Sequence, residues 1–151
     1  MISLVPPRVL LTEDLRDHLR AIGADKQALV RSFQQWKALA AQGKEHFEFG
    51  RDVPGLGNRH LRHVHMVPLY SPADEARWRR NWRYGRERKS DRYLLYADGT
   101  PAFGYLLITL INDPGAHTLW EPQNRQLVQL LERIADDFHH HGRAPDESAA
   151  P

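Results

Sequence analysis

The chain has 151 residues and a formal net charge of only +2, from 21 lysines and arginines against 19 acidic residues. This length predicts one domain with enough apolar residues for a buried core. The sequence contains no cysteine, which excludes a disulfide framework and a zinc site built on thiolates. No run approaches the roughly 20 apolar residues of a membrane span, and the first residues lack the pattern of a signal peptide, so we expect a cytoplasmic protein without membrane contact.

Two helices that form a hairpin are predicted after a short edge strand at residues 5–11. Thr12 is suited to cap the first helix, whose apolar residues recur at helical spacing until Gly23. The second helix is predicted over residues 25–42, with one apolar stripe along its length. Residues 47–58 contain three glycines and a proline among polar side chains, and this composition predicts a loop.

Three strands are predicted in the middle of the chain. Residues 61–69 alternate in polarity, which places His63 and His65 on the same face of the first strand. Residues 93–97 and 102–111 flank the turn sequence DGTP and predict a hairpin. The second strand of this hairpin is a continuous Leu/Ile run, which is typical of a strand covered on both faces at the centre of a sheet.

A closing helix is predicted after the sequence DPGAH interrupts the last strand. Thr118 and Glu121 have the spacing of a capping box, and Pro122 suits an early helical position. The predicted core face of this helix consists of Leu127, Leu131, Ile134 and Phe138. We therefore expect a single α+β domain over residues 1–142, followed by a disordered tail at 143–151 that has nothing to bury.

Basic residues are concentrated between positions 77 and 92, where eight of sixteen residues are lysine or arginine. Only Glu87 and Asp91 oppose them, so the segment favours a polyanionic partner over a merely solvated helix face. Trp78 and Trp82 are four residues apart and would share one helix face, either as core anchors or as a stacking surface beside the basic one.

Several segments resemble one known family in their order and spacing. They are EFGRD, RHVHM, SDRYLLYADG, YLLITLINDPGAHTLW and LVQLLERIADDF, which together span residues 47–138. They resemble the YafO family of bacterial type II toxins, whereas the two N-terminal helices match only in pattern and residues 71–87 depart from it.

The resemblance implies an mRNA endoribonuclease that works on the ribosome, uses no metal or cofactor, and is neutralised by a cognate antitoxin protein. It also implies a RelE-like fold, which is an antiparallel sheet of about four strands with an N-terminal helical hairpin and a C-terminal helix. The predicted order of elements is compatible with this fold.

Cleavage of RNA without a metal requires a base for the 2′-hydroxyl proton, a cation at the phosphate and a donor for the 5′-oxygen. Imidazole suits both proton-transfer roles because its ordinary pKa lies near neutrality. The catalytic candidates are therefore His63, His65, His117, Arg88 and Tyr93. Contacts to mRNA or the ribosome are expected from further basic residues and one tyrosine, namely Arg51, Arg77, Arg79, Arg80, Arg83, Arg86, Lys89, Arg92 and Tyr96.

The histidines also allow a metal-dependent nuclease as an alternative. His63 and His65 would form a zinc site together with His60 and His117, and the histidine run at 139–141 adds affinity for transition metals. A short His-x-His motif arises often by chance, so we expect no functional metal.

The sequence FGRD and the basic segment each allow a second interpretation. FGRD would be a purely structural turn if Asp52 pairs with Arg51 or caps the backbone. The protein would be a non-catalytic toxin, binding a protein target such as gyrase, if the basic segment is only an interaction surface and the histidines only polar lining.

Overall fold

The computed structural model describes residues 5–54 and 60–145. Its helices and strands are, in chain order, β1 (Val9–Leu11), α1 (Glu13–Ala21), α2 (Lys26–Ala41), β2 (Phe49–Pro54), β3 (Leu61–Met66), α3 (Pro72–Arg83), β4 (Tyr93–Asp98), α4 (Thr100–Phe103), β5 (Tyr105–Ile111) and α5 (Arg125–His141). Two short 3-10 helices, Ala116–Trp120 and Pro122–Asn124, precede α5. No helix within the two described ranges is long and apolar enough to cross a membrane.

The strands form one mixed sheet in the order β1-β5-β4-β3-β2. β1 pairs in parallel with β5, and all other neighbours are antiparallel. This confirms the α+β class and the RelE-like arrangement of helices around a sheet, although the sheet has five strands and is not wholly antiparallel. The central strand is β4, so the Leu/Ile run of β5 lies one position away from the centre.

The sheet separates two apolar cores. The first core lies on the side of the N-terminal helices and includes Leu15, Phe33 and Trp36. The second core lies on the side of the C-terminal helix and includes Leu131 and Phe138. Because the sheet is covered on both faces, β4 and β5 are buried on both sides, as their unbroken apolar runs predict.

The predicted helical hairpin and the predicted cap at Thr12 are confirmed, and Asp25 caps the second helix. The Leu15 amide donates a hydrogen bond to the Thr12 hydroxyl oxygen at 3.1 Å, and the Gln27 amide donates to the Asp25 carboxylate at 2.9 Å. These side chains satisfy amides that the first turn of a helix leaves without a partner. Local chemistry therefore fixes where both helices begin.

The prediction of a loop over residues 47–58 is wrong for its first part, which forms β2. The misleading signal is Gly50, because this glycine serves a close approach between backbones and not a turn. A Cβ atom built at Gly50 would lie 2.7 Å from the carbonyl oxygen of Arg88. The register also shifts between Phe49 and Asp52, as in a β-bulge. Residues 55–59 lie outside the described residues.

The predicted element order lacks α3, which includes the first part of the basic segment, residues 77–83. Within this helix the buried side chain is Trp78, and most of the other side chains are polar or charged, although Trp82 is 40% exposed. A helix that buries a single side chain has no repeating pattern of apolar residues. For this reason, hydrophobic periodicity did not predict α3.

The predicted start of the closing helix is also wrong. The Thr118 hydroxyl donates to the Gly115 carbonyl inside a 3-10 turn, and α5 begins only at Arg125. Leu131 and Phe138 are buried as predicted, whereas Leu127 is 45% exposed. α5 ends at Gly142, which adopts the left-handed conformation typical of a glycine at a helix end. Of the predicted tail, residues 143–145 are described and Ala144 packs into the second core, while 146–151 lie outside the described residues.

Candidate functional site

Two histidines and two aromatic rings form a cluster on the face of β3 that looks toward the second core. The ring of His63 lies 5.0 Å from that of Tyr93 and 5.1 Å from that of Trp120. The ring of His65 lies 4.8 Å from Tyr93 and 5.9 Å from His63. Cross-strand pairing explains this geometry, because His65 is the register partner of Tyr93 on β4. We call His63, His65, Tyr93 and Trp120 the histidine face.

Two consecutive residues near the end of the basic segment, Ser90 and Asp91, hold two of the predicted catalytic histidines. Nδ1 of His65 lies 2.9 Å from the amide nitrogen and 2.6 Å from the carbonyl oxygen of Ser90, and the tautomer decides whether it accepts or donates. Nδ1 of His117 lies 2.7 Å from Oδ1 of Asp91. His65 and His117 are therefore brought to neighbouring residues of one segment, although 52 positions separate them in sequence.

Asp91 fixes the orientation of the exposed His117. It accepts hydrogen bonds from the backbone amides of Gly115 and His117 as well as from the His117 ring. Burial acts to raise the pKa of Asp91, but these bonds outweigh it and hold the pKa below its ordinary value. The carboxylate is therefore ionised at neutral pH and remains an acceptor for the His117 ring.

The histidines of β3 are kept neutral by their surroundings. Burial, reinforced by the charge of His65, lowers the pKa of His63 from 6.5 to about 4. Burial also lowers the pKa of His65, with a smaller contribution from the nearby Lys89. In the described part of the chain, Nδ1 of His63 is buried and has no hydrogen-bond partner. A neutral imidazole with an unpaired nitrogen is able to accept a proton or a hydrogen bond from a ligand.

Tyr93 differs from the histidines because its proton is retained. Burial raises the pKa of this phenol, and the hydrogen bond with Trp120 opposes the effect only in part. At neutral pH Tyr93 is therefore a donor at the centre of the histidine face.

The exposed part of the basic segment presents cations on α3 and on the segment that follows it. Arg77 lies 3.6 Å from Asp74, and Arg79 lies 3.0 Å from Glu75, so these two are partly neutralised within the helix. The other exposed cations of the segment are Arg80, Arg83, Arg86 and Lys89. Two aromatic side chains stand among them, Trp82 at 40% and Tyr84 at 61% exposure. This pattern suits a polyanion whose bases can stack.

Two arginines of the segment are buried instead. Arg88 is 2% exposed, donates to the carbonyl oxygens of His46 and Phe47, and lies with its guanidinium about 5 Å from two tryptophan rings. Arg92 is 8% exposed and donates to Asn112 and to the carbonyl oxygen of Val67. These contacts fit the role of anchors between strands and loops.

The remaining predicted contacts lie away from the histidine face. Arg51 is exposed, with Nε 3.8 Å from Glu45. Tyr96 is completely buried and donates to Asp52. The interpretation of FGRD as a turn with an Arg51–Asp52 pair is wrong, because FGRD lies in β2 and Asp52 pairs with other residues.

A polar cluster on the opposite face of the sheet escaped the sequence analysis. Asp52 Oδ2 accepts from Arg62 at 2.9 Å and from Lys37 at 3.2 Å, while Tyr96 donates to Oδ1. Burial lowers the pKa of Lys37, although the Asp52 charge opposes this. The alternation of residues along β3 indicated that Arg62 lies on the face opposite to His63. The contribution of Lys37 from α2 could not be predicted, because it depends on the tertiary fold. We call these four residues, Lys37, Asp52, Arg62 and Tyr96, the Lys37 network.

The structure does not assemble the zinc site that the sequence suggested as an alternative. His60 lies near the end of α5, apart from the histidine face, with its ring stacked on that of His139 at 3.7 Å. Over the described residues, the group of potential ligands close enough to share an ion is His60, Asp136 and His140.

Comparison with known proteins identifies the family. No curated protein and no solved structure matches the chain. The family described as toxin YafO of a type II toxin–antitoxin system matches residues 34–140, which is most of the chain. This span contains the histidine face, the basic segment and the Lys37 network. The chain therefore belongs to the YafO family of type II toxins.

Proposed function

We propose that this toxin is an endoribonuclease that cleaves translated mRNA on the ribosome in the cytoplasm, using the histidine face and His117 without a metal. Membership of the family implies a cognate antitoxin as partner. The observation that carries the proposal is the placement of His65 on Ser90 and of His117 on Asp91, directly after the exposed Lys89. The two candidate proton-transfer groups and the candidate cation are thus held by three consecutive residues, 89–91.

The chemistry requires one neutral and one protonated group. The His63–His65 pair, which its environment keeps neutral, takes the proton of the ribose 2′-hydroxyl. The 2′-oxygen attacks the phosphorus, the bond to the 5′-oxygen breaks, and the departing oxygen receives a proton from His117. The products are a 2′,3′-cyclic phosphate and a 5′-hydroxyl, so protons and bonds balance.

Other groups position the substrate and stabilise charge. Lys89 is exposed and close enough to influence the pKa of His65, so it is suited to hold the phosphate as negative charge accumulates. Tyr93 retains its proton and donates to a phosphate oxygen. Trp120, which flanks His63, offers a ring on which a base can stack.

The exposed arginines of α3 and its C-terminal extension continue this surface toward RNA or the ribosome. Arg80, Arg83 and Arg86 face solvent, and each phosphate contact that such a cation makes releases counterions from the nucleic acid. We therefore assign to them an electrostatic contribution to ribosome binding and not to the chemical step.

Primer extension on a defined mRNA tests the proposal, with purified toxin incubated in the presence and absence of initiated ribosomes. We expect cleavage only with ribosomes, and a loss of at least about 100-fold in rate for His65→Ala and for His117→Ala. His141→Ala is the matched control, because this histidine is exposed at the end of α5 and distant in sequence from the site.

The outcomes distinguish three mechanisms. Full activity of His63→Ala, His65→Ala and His117→Ala alike would refute the assignment of the histidine face. Cleavage of naked RNA that EDTA abolishes would instead favour a metal-dependent nuclease. Absence of cleavage under every condition, together with toxicity in cells, would identify a toxin that acts by binding.

A further inference from the structure

A second group of histidines lies apart from the histidine face, where the end of α5 meets the start of β3. Asp136 and His140 are four residues apart on α5 and so share one side of that helix. His60, directly before β3, meets them, and its Nε2 lies 3.8 Å from Oδ1 of Asp136. The three potential ligand atoms all lie within 4.8 Å of one another.

These distances are close to those that a shared ion requires. Nitrogen and oxygen ligands at about 2.0–2.1 Å from a tetrahedral zinc ion lie about 3.3 Å apart. The separation of 3.8 Å between His60 and Asp136 is therefore slightly longer than in a closed site. The side chains must move closer together to bind the ion, and they are not fully enclosed, because His60 and Asp136 are partly buried and His140 is exposed.

A neighbouring histidine organises the site. The His139 ring stacks on His60 at 3.7 Å with an interplanar angle of 17°, and it also lies edge-on to His140 at 5.1 Å. Its Nδ1 lies 2.6 Å from the carbonyl oxygen of Asp98, which fixes the ring. Groups that orient the ligands in this way reduce the entropy that metal binding must overcome.

We propose that His60, Asp136 and His140 bind a divalent transition metal ion of the zinc class. Two imidazole nitrogens and one carboxylate oxygen suit zinc, nickel or copper far better than magnesium or calcium. A fourth position is left for water. The ion joins α5 to the strand that carries His63 and His65, so it stabilises the support of the histidine face without entering the cleavage reaction.

The contribution of His60 distinguishes this site from non-specific metal binding by the three consecutive histidines at 139–141. Three consecutive histidines at a helix end chelate metal ions without any folded partner. A site of that kind depends on His139–His141 alone and is indifferent to His60, which is 79 positions earlier in the chain than His139. Substitution of His60 is therefore the decisive change.

Zinc titration by calorimetry, together with the melting temperature at increasing zinc chloride, tests the site in the full-length toxin. We expect zinc to raise the melting temperature of the parent protein, since an ion that binds only the folded state stabilises it. His60→Ala and Asp136→Asn should each weaken zinc affinity by at least about 100-fold and abolish the rise in melting temperature. His141→Ala should change the affinity less than about threefold.

Two results of these titrations would overturn the proposed metal site. Unchanged zinc affinity in both His60→Ala and Asp136→Asn would overturn the proposal and assign the binding to the histidine run. Absence of zinc binding by the parent protein would overturn it as well. Circular dichroism confirms that each variant is folded, and cleavage that persists in EDTA would leave the proposed nuclease reaction intact whatever the outcome here.

Discussion

Acidification from pH 7 to pH 5 should destabilise this protein through His63. The pKa of its imidazole is about 4 in the folded protein, against 6.5 in an ordinary environment. Between these two values the unfolded chain binds a proton at His63 and the folded protein does not. The free energy of unfolding therefore falls as the pH falls through this window, and it is fully restored above pH 6.5.

The magnitude follows from the pKa difference. Each pH unit between 6.5 and 4 removes about 1.4 kcal/mol of unfolding free energy. The loss is about 2 kcal/mol at pH 5 and reaches about 3 kcal/mol at pH 4 and below. Partial exposure of His63 to solvent makes these values upper bounds. A loss of about 2 kcal/mol is nevertheless a large fraction of the stability of an ordinary domain.

Urea unfolding at pH 7 and at pH 5 measures this effect when the parent protein is compared with His63→Gln. Glutamine is polar and does not titrate, so the variant should lose at least about 1 kcal/mol less than the parent between the two pH values. The variant His141→Gln should behave like the parent. Equal losses in the parent and in His63→Gln would refute the depressed pKa and, with it, the neutral imidazole that the proposed base requires.

Three further substitutions probe other features. Arg88→Lys should destabilise the protein by about 2–3 kcal/mol in thermal unfolding, because an ammonium group cannot donate to two backbone carbonyls and stack on two tryptophans at once. Asp91→Asn should slow ribosome-dependent cleavage by at least about 10-fold, and the addition of His117→Ala should slow it little further, since both changes disable one unit. Gly104→Ala should lower the melting temperature strongly, because φ is +77° and the new Cβ would lie 2.1 Å from the Arg8 carbonyl oxygen.

Elements with strong local signals were predictable from the sequence. The cap at Thr12 and the alternation through β3 each depend on chemistry within a few residues, and the structure confirms both. β2 was not predictable in this way. Its Gly50 resembles a loop residue until the backbone of Arg88 is known to lie against it.

The sequence predicted which face of the strand carries the histidines, but it did not predict which of the basic residues are buried. Alternation placed His63 and His65 together, and the structure adds Tyr93 beside both rings through the register of β3 and β4. The arginines of the basic segment were indistinguishable in sequence. Burial separates them, because Arg88 and Arg92 occupy positions that point inward while their neighbours remain exposed.

The two polar clusters on opposite faces of the sheet differ in what remains available to a ligand. Both carboxylate oxygens of Asp52 already accept hydrogen bonds within the Lys37 network. Nζ of Lys37 donates to Tyr96 and Asp52 and lies 4.4–5.8 Å from the centres of the surrounding aromatic rings. A substrate would have to break these bonds before either group could react, at a cost of about 1–3 kcal/mol for each buried partner left unpaired. On the histidine face the opposite holds, since Nδ1 of His63 has no hydrogen-bond partner among the described residues and no existing bond has to be broken there. This asymmetry favours the histidine face as the site of chemistry and the Lys37 network as the brace that holds α2 to the sheet.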